Sequence, residues 1–347
     1  MSFEGRVPLR FATDAVDAGT HVNLSAVRSD GPCLWIAGDE TATVERLTAL
    51  GAGYESGYSQ HVILPLADVI ALPGGPDDEV DVEGLGRQGP YLWAVGSHSS
   101  RRKRIKDKHS DDKSVRRLAR VSDEPSRHVV ARLAVADGPK GLPTIVSEAP
   151  GGHTSAILPG GVSALLDDDE HLAPFLAIPG KDNGFDVEGI AVHRESLYLG
   201  LRGPVLRGWA VLLEIQPQDS GKPGRLELAP LADDSLYRKY FLDLGGLGVR
   251  DLCPDGDDLL VLAGPSMDLD GPVRVYRWHD ALGGDSPQVV RNNALTRELD
   301  LPYGEGDDHA EGIALLPGRR LLVVYDSPAP ERLVEPDTVL ADLFALP

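Results

Sequence analysis

Three glutamates of this chain stand in one repeated phrase: Asp81-Val82-Glu83-Gly84-Leu85, Asp186-Val187-Glu188-Gly189-Ile190 and His309-Ala310-Glu311-Gly312-Ile313. Carboxylates grouped in this way can hold a hard cation such as Ca²⁺ through oxygen. They can instead share protons, because neighbouring like charges raise one another's pKa. A third use is to accept backbone hydrogen bonds and pair with an arginine, for which Arg250 is the candidate. Basic residues follow the first two phrases at matched places. They are Ser97-His98-Ser99-Ser100-Arg101-Arg102-Lys103-Arg104 and Arg202-Gly203-Pro204-Val205-Leu206-Arg207-Gly208. Arg101, Arg102, Arg202 and Arg207 could bind an oxyanion by paired hydrogen bonds. His98 and His309 titrate near neutrality, as proton carriers do.

These residues cooperate only if the fold gathers them. Seven or eight residues after the apolar residue that ends each phrase comes an apolar run: Leu92-Trp93-Ala94-Val95, Leu197-Tyr198-Leu199 and Leu321-Leu322-Val323-Val324. Two weaker copies keep the step. Ser25-Ala26-Val27 precedes Leu34-Trp35-Ile36, and Arg250-Asp251-Leu252 precedes Leu259-Leu260-Val261-Leu262. The aligned column is Ser25, Glu83, Glu188, Arg250 and Glu311. Its intervals are 58, 105, 62 and 61 residues, and 61 more lead through the C-terminus back to Ser25. A repeat of this length points to an array of similar units.

Each unit opens with two apolar stretches joined by a turn of Gly, Pro, Asp or Arg, as in Ser29-Asp30-Gly31-Pro32 and Pro254-Asp255-Gly256-Asp257. That is hairpin chemistry. Further strands are expected at 129–135, 211–215 and 273–278, and long amphipathic helical patterns are nearly absent. About 60 residues hold four short strands, one blade of a β-propeller. The expected fold is therefore all-β, one propeller domain over residues 1–347. Five blades with an insertion at about 138–172 in the second repeat is the first choice, and six blades the alternative. The last unit has room for three strands, ending near 339–344, and residues 7–12 would supply the fourth and remove a sheet edge.

First strands of blades line the central channel. Glu83, Glu188, Arg250 and Glu311 should ring one mouth, joined by the residues that end each second strand: Asp39 and Glu40, Ser97 and His98, Arg202, and Asp326. Alternation along a strand sends Asp81, Asp186 and His309 to the same side.

The net charge of −20 disfavours nucleic acid and anionic membranes as partners. No apolar run approaches membrane-spanning length and no secretory leader pattern opens the chain, so a cytoplasmic placement is expected. Cys33 and Cys253 fall in different units and suggest neither a disulfide nor a metal pair. No Gly-x-Ser-x-Gly, His-Glu-x-x-His, Cys-x-x-Cys or P-loop pattern occurs. Pro159-Gly160-Gly161 reads as a turn, and Asp167-Asp168-Asp169-Glu170 as a solvated acidic loop.

The Asp-x-Glu-Gly phrases resemble those of phytase-like propellers. Taken with Ser97-His98-Ser99, Arg101-Arg102-Lys103-Arg104 and Gly200-Leu201-Arg202-Gly203-Pro204-Val205, they look more closely like a bacterial family known as domain of unknown function 3616. That second resemblance covers nearly the whole chain and implies no activity. The phytase-like one implies that Asp81, Glu83, Asp186 and Glu188 bind calcium at the channel mouth, and that the calcium helps hold phosphate. Glu311 matches only Glu-Gly-Ile, and Arg250 breaks the pattern. The leading expectation is a divalent-cation-dependent hydrolase of small phosphate esters. In it Glu83, Glu188, Glu311, Asp81 and Asp186 hold metal, Arg202, Arg207 and Arg250 face the developing charge, and His98 and His309 move protons. A lactonase-type hydrolase and a non-catalytic propeller that binds a protein partner are the alternatives.

Overall fold

Each repeated phrase starts a strand, and the apolar run after it is the antiparallel hairpin partner. The computed structural model describes every residue except Asp39, Glu40, Asp77, Asp285 and Pro347. After an opening strand β1 (Ser2–Arg10), the chain builds four-stranded antiparallel sheets in succession. The first is β2 (Leu24–Asp30), β3 (Cys33–Gly38), β4 (Thr43–Ala49) and β5 (Tyr58–Pro65). The second is β6 (Val82–Gln88), β7 (Tyr91–Gly96), β8 (Val130–Asp137) and β9 (Pro143–Val146). The third is β10 (Asp186–His193), β11 (Ser196–Gly203), β12 (Ala210–Asp219) and β13 (Arg238–Leu242). The fourth is β14 (Gly248–Asp255), β15 (Asp258–Gly264), β16 (Val273–Trp278) and β17 (Leu295–Leu301). Then come β18 (His309–Leu316), β19 (Arg320–Asp326) and β20 (Thr338–Ala345), and β1 pairs antiparallel with the far side of β20, with Val7 opposite Ala341. Leu9 of β1 also pairs with Tyr58 of β5, so the first and last sheets join. The protein is all-β and propeller-like.

Alternation along the strands divides their side chains between two cores. On β15, Leu259, Val261 and Ala263 pack toward the third sheet, whereas Leu260 and Leu262 pack toward β18 and β19. Five such cores lie between sheets that follow one another in the chain, and one of them joins the last sheet to the first through Leu9, Leu24, Leu34, Leu322 and Val339. Burying a Leu- or Val-sized side chain stabilises by roughly 1.5–3 kcal/mol, so these cores hold the sheets together.

Every first strand breaks register at the same place. The unpaired residue is Ser25, Glu83, Glu188, Arg250 or Glu311. A β-bulge leaves one residue out of the ladder and re-aims its side chain. The repeated column is thus a column of bulges. The glycine that follows each glutamate has its own cause. A Cβ on Gly84 would lie 3.0 Å from the Glu188 carbonyl oxygen, one on Gly189 3.1 Å from the Asp251 backbone, and one on Gly312 3.0 Å from the Val27 nitrogen. First strands of neighbouring sheets touch there.

The long interval between Glu83 and Glu188 is filled in two places. Residues 97–129 form an excursion after β7 that carries the helix Asp111–Leu118. Within 138–172, Pro143–Val146 pairs with β8 as β9, and Leu158, Val162, Leu166 and Leu172 pack between the second and third sheets. The acidic run 167–170 is not wholly solvated. Asp169 is buried, caps the backbone N–H groups of His171 and Leu172, and accepts hydrogen bonds from Tyr237 and Lys239 at 2.6 Å. Those bonds anchor the segment to the third sheet and hold the Asp169 carboxyl down to about 2. Cys33 and Cys253 are free and buried. No helix is long and apolar enough to cross a membrane.

Candidate functional site

The bulges bring Glu188, Arg250 and Glu311 together from three sheets. Arg202, at the end of β11, donates to Glu188 Oε1 at 2.8 Å. Arg250 Nη1 lies 3.3 Å from Glu188 Oε2 and donates to Glu311 Oε1 at 2.5 Å. The result is an unbroken relay of Arg202, Glu188, Arg250 and Glu311. On the second sheet, Arg127 pairs with Asp81 and donates from Nε to the Ser99 carbonyl at 3.1 Å. Glu83 and Asp186 both act on the Arg127 guanidinium.

Acids outnumber guanidinium groups in this cluster, and burial raises the cost of every uncompensated charge. Asp186 is pushed up to about 7, first by burial and then by the Glu188 carboxylate, with Arg202 opposing. Glu311 is also pushed up to about 7 by burial; Arg250 holds it back, while Asp326 and Glu188 drive it further. Burial raises Asp81 as well, against the pull of Arg127. His309 lies with Nε2 3.2 Å from Asp270 Oδ1 and Nδ1 3.8 Å from Asp326, and the two carboxylates, Asp326 foremost, raise its pKa. A cavity of about 20 Å³, room for one water, opens beside these groups and is lined by Arg250, His309, Asp270, Leu269, Tyr303 and Val273.

The ring oxygens have arginine partners. Oxygens of Glu188, Glu311 and Asp81 already face guanidinium nitrogens. Among the described residues, no three His, Cys, Asp or Glu side chains are placed to hold a metal ion. These carboxylates are paired with arginine.

The remaining expected residues are dispersed. His98 is buried. Its Nδ1 meets the Gly96 carbonyl at 2.7 Å, its ring stacks edge-on against His128, and burial drives its pKa down to about 3. Arg207 is exposed on a turn. Arg101 pairs with Glu79 and Glu124, and Arg102 with Asp182 at 2.7 Å, so neither belongs to the ring. Ser25 donates to the Val82 and Ala37 carbonyls and serves packing. Asp39 and Glu40 lie outside the described residues.

Two residues the sequence reading passed over tie first strands of different sheets together. Arg28 donates to the carbonyls of Leu85, Ile313 and Leu252 and to Asp251 Oδ1 at 3.1 Å, and Asp251 Oδ2 accepts from the Ile313 N–H. The pair spans four first strands. Its one signal was Asp251, which stands where three other units carry Gly. Arg127 and Asp270 gave no signal, because neither lies in the repeat. Elsewhere, His128 meets Ser163 Oγ and Asp123 at 2.8 Å each. Asp123 is 66% exposed, so water competes for the imidazole and the trio is a surface relay.

No curated protein matches the chain. Among solved structures it is similar to Myxococcus xanthus glutaminyl cyclase, at 11% identity over 99% of this chain and 98% of that one, with a TM-score of 0.44. It is also similar to the PQQ-bound aldose sugar dehydrogenase of Streptomyces coelicolor, at 12% identity over 99% of each chain, with a TM-score of 0.38. Residues 23–342 match the family described as protein of unknown function (DUF3616), and the chain belongs to that family.

Proposed function

We propose that the sheets are the five blades of one closed propeller, the last completed by β1, and that its mouth hydrolyses small uncharged esters or lactones without a resident dication. The observation that carries this reading is the Glu311 carboxyl. Its Oε1 accepts from Arg250, which with His309 lines a cavity with room for one water, and burial pushes the carboxyl up to about 7. A general base poised near the working pH transfers protons best.

In this reading the ester carbonyl rests against the rim of Leu269 and Tyr303. Water in the cavity gives its proton to Glu311 as its oxygen bonds to the carbonyl carbon. Arg250 faces the oxygen that gains charge, which stabilises the tetrahedral state. His309, whose pKa Asp326 and Asp270 raise, hands a proton to the leaving oxygen as the C–O bond breaks. Glu311 then returns a proton to His309 and the site is reset. A phosphate dianion suits this mouth poorly, because Asp81, Glu83, Asp186, Glu188, Glu311 and Asp326 outnumber Arg127, Arg202 and Arg250. An uncharged carboxylic ester avoids that repulsion.

The test is initial rates on carboxylic esters, lactones and phosphate esters, with and without EDTA. Carboxylic ester or lactone turnover should survive EDTA. Glu311→Gln and His309→Asn should each lower kcat by roughly 10²–10⁴-fold and stay folded. Turnover abolished by EDTA and restored by Ca²⁺ would return the site to the phytase-like scheme. No turnover on any of the three classes would remove the activity.

A further inference from the structure

We propose that two copies of this chain bind face to face, the basic arm of each seated on the acidic rim of the other. The arm is residues 101–120, in which ten Lys and Arg stand against three Asp in a chain of net charge −20. Its helix Asp111–Leu118 has no buried residue, and Val115 and Leu118 are 67% and 46% exposed. So short a helix is marginal in water by itself, and a surface that covers those two residues would stabilise it. Among the described residues, Lys106, Lys108, Lys113, Arg116 and Arg117 meet no carboxylate of their own chain within ion-pair distance.

The complementary surface is on the same molecule. Loops 265–271 and 303–308 carry Asp268, Asp270, Glu305, Asp307 and Asp308 and no Lys or Arg. Between those acids Met267, Leu269 and Tyr303 are 45%, 53% and 48% exposed. Arm and rim adjoin. Arg102 at the foot of the arm pairs with Asp182, which bridges Met267 of the rim. A two-fold interface must be self-complementary, and a face that holds both a basic apolar arm and an acidic apolar rim meets that condition. Nucleic acid and anionic membrane are the poorer occupants, since the rim beside the arm repels phosphate. This interface does not depend on the proposed activity, whose mouth it would cover through Leu269 and Tyr303.

The mass of the purified full chain is measured by light scattering after gel filtration. At about 0.05 M salt, where surface charges are weakly screened, it should be twice 37.1 kDa, and at about 1 M salt 37.1 kDa. Lys113→Glu with Arg116→Glu should be monomeric at both, and so should Asp268→Lys with Glu305→Lys. Both variants should keep the wild-type melting temperature at about 1 M salt, where the wild type is monomeric too, because these residues lie outside the cores. Mixed in equal amounts, the two variants should restore the dimer, since each arm then meets a rim of opposite sign. A monomeric wild type at low salt overturns the proposal, as do dimeric variants or a mixture that stays monomeric. Tight binding of that monomer to phosphatidylserine vesicles or duplex DNA would give the arm to another partner.

Discussion

Glu188 and Glu311 occupy the same position of the same phrase, and their neighbours separate them. Glu188 is faced by two guanidinium groups, Glu311 by one and by Asp326. The repeat made both legible as ring residues, because their types recur at a fixed step. How their environments differ was not legible, since Arg250 comes from another sheet and meets both glutamates only once the sheets pack. A pH dependence follows. Glu311, Asp186 and His309 have folded pKa values above their ordinary ones, so the folded state binds more protons than the unfolded state. The stability tied to them is present at low pH and is lost as pH rises through about 7. Buried His98, with its pKa lowered to about 3, works in the opposite sense and costs stability as pH falls below its ordinary 6.5. Melting temperature should therefore drop between about pH 6 and 7.5, and Glu311→Gln should flatten that drop. A melting temperature that rises across this interval in a pH series would contradict the assignment.

The hairpins were readable because apolar runs, turn residues and their spacing are local properties of the chain. The bulges were not. A bulge is a mismatch between two strands, and the phrase reports only its outcome, a polar residue followed by glycine. The glycine reflects contact with the next sheet, which Asp251 replaces at one position by reaching across to Arg28 and the Ile313 N–H. Gly312→Ala would place a methyl group 2.8 Å from Val324 and 3.0 Å from the Val27 backbone nitrogen. Overpacking against backbone costs about 1–3 kcal/mol. Urea denaturation should show that loss, and an unchanged midpoint would mean that the strands part freely. The segment 147–185 was the least legible element. Its order comes from Asp169 and a few apolar anchors that meet the third sheet, and no period marks such residues in advance.

Over the whole molecule, the strand that opens the chain finishes the sheet that ends it. Regular intervals and a last unit one strand short made that pairing readable. The basic arm was readable as a charge run, whereas its acidic counterpart, divided between two loops, was not. Deleting residues 1–11 should leave β20 with an unpaired edge and remove Val7, Leu9 and Phe11 from their core. The truncated chain should melt well below the full one and aggregate on gel filtration, and a monomer of unchanged melting temperature would argue against this role.

Arg28 and Asp251 carry a last consequence. Their hydrogen bonds tie four first strands, one from each of four sheets. One buried guanidinium thereby fastens four sheets to each other, and Arg28→Lys, with fewer donors, would release carbonyls on more than one of them at once.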